Sequence, residues 1–315
     1  MAKTEVSIII PMLNEEKNIS LLYSELKKVM DTMDKNYELF FIDDGSTDNT
    51  FKILKELRER DKKVKIIKFR KNFGQTSAIQ AGFDHAKGDV LVIMDGDLQN
   101  DPADIPKLLE KLDEGFDVVS GWRADRKDPF FTKKIPSKIS NWLASALTCV
   151  KIHDFGCTLK AYTRDSLEDV RIYGEMHRYI PALVAWSGFS VTEIKVNHRP
   201  RKYGKTKYGI KRLLKGFLDL INLKFWMEYS TRPLHLFGFL GLCLFFMGFI
   251  TGLYLTIMRL FYGVSLSNRP LLLLAVLLVV LGMQFIIFGF LGELIVRVYY
   301  DEKDRKIYKI KEIIE

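Results

Sequence analysis

The sequence predicts an α/β domain built on a mostly parallel sheet, followed by an amphipathic interfacial helix and a pair of transmembrane helices. Two observations carry the α/β assignment. Apolar runs of strand length at Val6–Ile10, Leu39–Ile42, Val64–Phe69 and Val90–Met94 alternate with helix-period stripes, Leu22/Leu26/Val29/Met33 and Phe51/Leu54/Leu57. Alternation of this kind predicts parallel strands covered by helices on both faces, with ligands beyond the carboxyl ends of the strands. A third observation concerns the remainder of the chain. Although 48% of the 315 residues are hydrophobic, the apolar residues thicken sharply after Arg232.

Leu236–Met258 and Leu271–Leu291 are almost free of charge, and a hydrocarbon core is crossed by about 20 residues of helix. Both are therefore expected to span a membrane, with Gly238, Gly241, Gly248 and Gly252 allowing close helix contact in the first. Ahead of them, Lys207–Tyr229 places Ile210, Leu213, Leu214, Phe217, Leu218, Ile221 and Phe225 at helical spacing among lysines and arginines, the pattern of an interfacial helix. A surface helix packed on the domain fits the same pattern, and the neighbouring spans favour the interface. The expected boundaries are 1–206 for the catalytic domain, 207–232 for the juxtamembrane region, 233–298 for the hairpin and 299–315 for a tail. Basic residues crowd before the first span and after the second, while only Arg259 and Arg269 flank the connector. Both termini are thus expected to be cytoplasmic. The short run Val6–Ile10 is no signal peptide, and Cys149, Cys157 and Cys243 show neither a disulfide framework nor metal spacing.

The formal charge of +9 suits nucleic acid, an anionic membrane or phosphorylated substrates alike. Nucleic acid is disfavoured, because the basic residues lie beside the spans and no recognised binding spacing is present. Gly204-Lys205-Thr206 is no P-loop, since Arg199 stands where the first glycine is required. A homo-oligomer is an expectation resting only on the glycine-bearing spans and the basic helix.

Asp95-Gly96-Asp97 follows the strand Val90–Met94 directly and leads into Leu98-Gln99. Two carboxylates there suit Mg²⁺ or Mn²⁺, which prefer oxygen ligands and bridge protein to substrate phosphates. An isolated pair of this kind is more often a solvated turn, so its neighbours matter. Asp43-Asp44-Gly45-Ser46 closes the second strand, and Pro11-Met12-Leu13-Asn14-Glu15 closes the first. Arg70, Asn72, Gly74, Ala78 and Gly82 form a loop entering a helix, a place for small residues near an anion.

The segments VSIIIPMLNEE, FFIDDGSTDNT, RKNFGQTSAIQAGFDHAKGD, VIMDGDLQNDP, HDFGCTLKAY, GEMHRYIP and RPRKYGKTKYG, in that order, resemble the family 2 glycosyltransferases of GT-A fold. The resemblance covers nearly the whole chain and is closest to the polyprenyl-phosphate branch, with bactoprenol glucosyltransferases and dolichol-phosphate mannose synthases. It implies a Rossmann-like GT-A catalytic domain that uses Mg²⁺ or Mn²⁺ to move a hexose, with inversion, from a nucleotide-sugar to undecaprenyl or dolichyl phosphate. UDP-glucose is the expected donor and GDP-mannose the alternative. Pro11, Leu13, Glu15, Asp43, Asp44 and Asp95 are implied at the nucleotide, Asp95, Asp97 and Gln99 at the metal, and Arg123, Arg201 and Lys207 at phosphates of donor or lipid. Guanidinium matches phosphate oxygens with two prongs, and lysine supplies a mobile point charge. Asp154 matches the acceptor-side carboxylate, as base or positioning group. A phosphate monoester already carries about 1.5 to 2 negative charges near pH 7, which reduces the need for a base. His153 and His177 read as hydrogen-bonding residues. A processive polysaccharide synthase is the nearest rival, but no QxxRW motif is present and two spans are few. A silent membrane scaffold is opposed by the joint presence of Asp95, Asp97, Asp154, Arg201 and Lys207.

Overall fold

A computed structural model of the chain describes residues 3–124, 135–168, 170–172, 174–200, 211–229, 232–266 and 270–302. Two compact units, Met1–Leu223 and Lys224–Glu315, take shape. The first opens with β1 (Val6–Met12), α1 (Ile19–Met30), β2 (Tyr37–Asp43), α2 (Thr50–Arg60), β3 (Val64–Lys68), α3 (Gln75–His85) and β4 (Val90–Ile93). It continues through α4 (Ile105–Asp113), β5 (Val118–Trp122), α5 (Ile135–Thr148), β6 (Lys160–Thr163), α6 (Arg164–Leu167), α7 (Ile180–Trp186) and β7 (Val191–Lys195); α8 (Lys211–Tyr229) begins in the first unit and ends in the second. The expected first helical turn at 207–210 lies outside the described residues.

One sheet of order β3-β2-β1-β4-β6-β5-β7 runs through this unit. β1 pairs in parallel with both β2 and β4, β2 with β3, and β5 with β7, whereas β6 runs antiparallel to β4 and β5. Its central strands are apolar on both sides because both sides are covered. Ile8, Ile10 and Met12 of β1 join Leu39, Phe41 and Val92 in one core, roofed by Leu22 and Leu26 of α1, Leu54 of α2 and Leu108 of α4. Ile9 points the opposite way, into a second core with Ile42, Ile93, Ile79 of α3 and Ile180 of α7. Each such side chain taken fully out of water contributes about 1.5–3 kcal/mol. A one-residue slip of β1 would exchange the two sets, so the register is firmly held.

The topology also bears on where a ligand would bind. The chain leaves β1 toward β2 and β3 on one side, then returns to β4 on the other. The sheet therefore reverses between β1 and β4, and in open α/β sheets ligands bind beyond the carboxyl ends of the strands at such a reversal.

In the second unit, α9 (Pro233–Tyr262) and α10 (Pro270–Glu302) form a hairpin of two helices long and apolar enough to cross a membrane. Both extend past the expected spans. Large apolar residues such as Phe239, Phe246, Ile250, Leu273 and Phe288 are exposed, and lipid is the solvent such a surface suits. Gly241 and Gly248 do set the helix contact. A Cβ at Gly241 would stand 2.6 Å from the Gly282 carbonyl oxygen, and one at Gly248 2.7 Å from that of Ala275. Gly238 meets only Leu234 of its own helix, and Gly252 meets nothing within 4 Å.

Candidate active site

The loops after β1 and β2 are pinned to one another. Asn14 takes a left-handed backbone, φ 55°, which asparagine tolerates better than most residues. Its N–H donates to Ser46 Oγ (2.9 Å), and its Oδ1 accepts from Thr47 N–H (2.8 Å). Glu15 N–H donates to Thr50 Oγ1 at 2.9 Å, and Glu16 N–H to Asp48 at 3.3 Å. These bonds fix the backbone that follows Pro11 and Leu13, through Asn14, Glu15 and Glu16. Asp43 and Asp44 differ in what they hold. Both oxygens of Asp44 accept backbone N–H groups, Phe73 at 2.7 Å and Gly74 at 2.9 Å, so it shapes the loop into α3. Burial raises its pKa against the pull of those two donors. Asp43 is fully buried; Oδ1 accepts from Ser46 N–H at 2.9 Å, and Oδ2 has no hydrogen-bond partner among the described residues.

Asp95 follows β4 at the reversal point, and both its oxygens are oriented. Gln75 Nε2, from the first turn of α3, donates to Oδ1 at 2.7 Å, and Thr158 Oγ1 donates to Oδ2 at 2.6 Å. Asp97 Oδ1 accepts from Gln99 N–H at 3.1 Å across Leu98, whose φ is 63°. The far side of the turn is held by Arg199. Its N–H donates to the Gln99 carbonyl at 2.9 Å, and its guanidinium meets Asp101 at 2.7 Å and Glu25 at 2.6 Å. At Gly96 a Cβ would meet the flexible end of the buried Met12 side chain at its Sδ, while the Pro11 carbonyl oxygen, at 3.4 Å, would be in ordinary contact. Gly96→Ala is accordingly expected to displace the buried Met12 side chain, with a stability loss of about 1–3 kcal/mol; thermal melts measure it.

Among the described residues no three His, Cys, Asp or Glu side chains cluster as a closed metal cage. The donor set nonetheless fits a cation shared with a substrate. Mg²⁺ is commonly bound through one or two carboxylates together with phosphate and water, and Asp95 and Asp97 bring two carboxylates to one turn.

Beyond β4 lies a buried ion pair. Arg123, at the end of β5, donates from Nε to Asp154 Oδ2 at 2.7 Å and from Nη2 to Oδ1 at 3.0 Å. Gly156 N–H donates to Oδ1 as well, at 3.1 Å, and Arg123 N–H to Oδ2 at 3.4 Å. Burial works against the guanidinium charge, but the bond to Asp154 outweighs it and raises the Arg123 pKa. With both oxygens engaged, Asp154 is built as a held anion. His153 stacks on Trp122 (4.4 Å between centroids) and bonds to Glu193, and His177 bonds to Thr76; both histidines make the contacts expected of them. Arg201 and Lys207 lie outside the described residues.

The structure thus gathers Pro11, Leu13, Glu15, Asp43, Asp44, Asp95, Asp97 and Gln99 at one edge of the sheet, with Arg123 and Asp154 beside Thr158. Gln75 and Thr158, which orient Asp95, had no signal in the sequence. Lys160 had one, being a lysine within the apolar run Leu159–Tyr162.

The sequence matches the family described as Glycosyl transferase family 2 over residues 7–171. It is 39% identical over 315 residues to the dodecaprenyl-phosphate galacturonate synthase of Rhizobium johnstonii, covering 99% of this chain and 93% of that protein. It is 37% identical to the undecaprenyl-phosphate 4-deoxy-4-formamido-L-arabinose transferase of Shewanella sediminis, covering 98% of this chain and 92% of that one. In three dimensions it resembles glucosyl-3-phosphoglycerate synthase of Mycobacterium tuberculosis, solved with Mn²⁺, UDP and phosphoglyceric acid, with a TM-score of 0.55 at 18% identity over 73% of this chain and 81% of that one. That likeness supports the GT-A fold, with a mixed sheet. The chain belongs to glycosyl transferase family 2, among the glycosyltransferases of polyprenyl phosphates.

Proposed function

We propose that the chain transfers a sugar from a nucleoside diphosphate to the phosphate of a polyprenyl lipid, with inversion at the anomeric carbon. One observation carries the reading: Thr158 ties the diphosphate-side carboxylate Asp95 to the segment bearing Asp154, the partner of Arg123, so donor and acceptor groups share one crevice. Pro11, Leu13, Glu15 and Asp43 line the nucleoside end, with Asp44 shaping the wall through Phe73 and Gly74. Asp95 and Asp97, with Gln99, would hold Mg²⁺ or Mn²⁺, which would supply positive charge to the departing diphosphate. An oxygen of the lipid phosphate attacks the anomeric carbon as the bond to the diphosphate oxygen breaks. Arg123, Arg201 and Lys207 meet phosphate charge, and Asp154 positions Arg123. The apolar hairpin sits in the membrane, and the basic residues flanking it put the catalytic domain on the cytoplasmic face.

For the donor, the relatives favour a change from the expected glucose. Two proteins matching nearly the full chain are named for galacturonate and for 4-deoxy-4-formamido-L-arabinose, and the first is a uronic acid. UDP-galacturonate is therefore the preferred donor, ahead of UDP-glucose and GDP-mannose. The test is a panel of these labelled nucleotide-sugars and the formamido-arabinose donor with undecaprenyl phosphate, with and without EDTA. The expected result is metal-dependent lipid-linked product, with kcat/KM for UDP-galacturonate about 10-fold or more above UDP-glucose. A glucose preference overturns the sugar assignment; absence of lipid-linked product from every donor overturns the function.

A further inference from the structure

The buried side chain of Lys160 has no part in the reading above. Lys160 is 2% exposed, an expensive place for a cation that an apolar residue could fill at lower cost. Its position in the sheet is informative. β6 lies between β4 and β5, and Lys160 is in register with Ile93 on one side and Ser120 on the other. Two residues beyond Ile93 is Asp95, and three beyond Ser120 is Arg123. The lysine thus sits on the strand separating the diphosphate side from the acceptor side.

Its ammonium donates to the carbonyl of Phe155 at 3.1 Å and to that of Arg178 at 3.2 Å. Phe155 follows Asp154 directly. Arg178 belongs to a 3-10 turn, Met176–Arg178, whose His177 Nδ1 bonds to Thr76 Oγ1 at 2.7 Å. Burial pushes the His177 pKa down to about 3, so the neutral ring serves Thr76 as a hydrogen-bond partner. Thr76 adjoins Gln75, the donor to Asp95. A continuous tie therefore runs from Asp154 through Phe155, Lys160, Arg178, His177, Thr76 and Gln75 to Asp95. The direct Thr158 bond closes it into a loop.

We propose that Lys160 is a positioning residue for the transfer reaction, its ammonium clamping two backbone carbonyls so that Asp95 and the Arg123–Asp154 pair keep a fixed separation. The inference rests on the function proposed above, because it assumes that Asp95 faces the donor and Asp154 the acceptor. A tie of this kind acts on alignment more than on binding. A displacement of about 1 Å at reacting atoms costs up to about 10²-fold in rate, while each substrate keeps its own contacts.

The experiment compares Lys160→Met, Thr76→Val and the double variant in the full-length protein, with kcat expressed per nucleotide-binding site titrated with the donor's nucleoside diphosphate. Lys160→Met preserves volume and removes the donors; Thr76→Val cuts the other end of the tie without touching the lysine. Lys160→Met is expected to lower kcat per site by about 10- to 100-fold, with both KM values within about threefold of wild type. Thr76→Val is expected to lower it by about 3- to 10-fold. The double variant should lose less than the product of the two effects, as groups acting through one network do. Wild-type kcat per site in Lys160→Met overturns the proposal, as does a loss of activity matched by a loss of binding sites, the mark of a purely structural lysine. If Lys160→Met does not fold, Thr76→Val decides: a lowered kcat per site at unchanged KM upholds the tie, and wild-type kcat overturns it. Failure of the underlying function is distinct, since the wild-type protein itself would then form no lipid-linked sugar.

Discussion

Replacing Asp95 and Asp97 together by alanine is expected to lower sugar transfer by about 10³-fold or more, since removing one preorganised electrostatic contact to a developing charge costs about 10²–10³-fold. The two carboxylates are the acidic groups on the turn where the sheet reverses, and their loss takes away the ligands proposed for the cation. The leaving diphosphate then builds negative charge with no counter-charge. Part of the effect comes from the protein itself, because Gln75 and Thr158 lose the acceptor that orients them. Both donors are half-buried, so this part stays below the about 1–3 kcal/mol that a buried donor left without a partner costs. Asp97→Asn separates the contributions: it keeps shape, and its amide oxygen can still accept the Gln99 N–H bond, while the charge is removed. Thermal melts supply an assay independent of turnover. Magnesium with nucleoside diphosphate should raise the wild-type midpoint by the linkage of binding to stability, and should leave the double alanine variant unmoved. Transfer at wild-type speed in that variant would remove the foundation of the proposed function.

Much of this arrangement is legible in sequence because the central strands are buried on both faces. Leu39–Ile42 and Val90–Met94 are uninterrupted apolar runs for that reason, Val6–Ile10 is broken only by the buried Ser7, and their ends deliver Asn14, Asp43, Asp44 and Asp95 without knowledge of the topology. The rest of the sheet has no such signature. β5 contains Ser120 and Gly121, β6 opens on a lysine, and β7 carries Thr192 and Glu193 among its few apolar residues. Insertion of β6 antiparallel between β4 and β5 is decided by long-range packing, which no local pattern records. The site divides the same way. A carboxylate pair at a strand end can be recognised by its chemistry, but its orientation depends on Gln75 and Thr158, 20 and 63 residues away in the chain. Arg123 and Asp154 are each readable as functional residues, whereas their pairing across 31 residues is a tertiary fact.

That pairing leads to the second large effect, on Asp154→Asn. The Arg123 side chain is 14% exposed and the Asp154 side chain 5%, so the substitution leaves a nearly buried guanidinium without its counter-ion. Breaking such a pair costs about 3–5 kcal/mol, a loss that chemical denaturation will detect. With Asp154 intact, Arg123→Lys should lose stability as well, since an ammonium cannot reproduce the two parallel bonds. Transfer in Asp154→Asn is expected to fall by about 10²-fold through misplacement of Arg123. The pH dependence separates positioning from proton abstraction. If Asp154 only positions, the acid limb of kcat/KM for the lipid reflects ionisation of the phosphate acceptor, whose second pKa is near ~6. A phosphate that must lose its second proton to attack gains rate as pH rises through that value. The limb should therefore persist in Asp154→Asn at the same pH, on a curve displaced downward. Were Asp154 the base, the same substitution would abolish the limb along with the group that titrates. Both oxygens of Asp154 already accept from Arg123, and the acceptor is anionic before it binds, so the geometry and the chemistry favour the first outcome together.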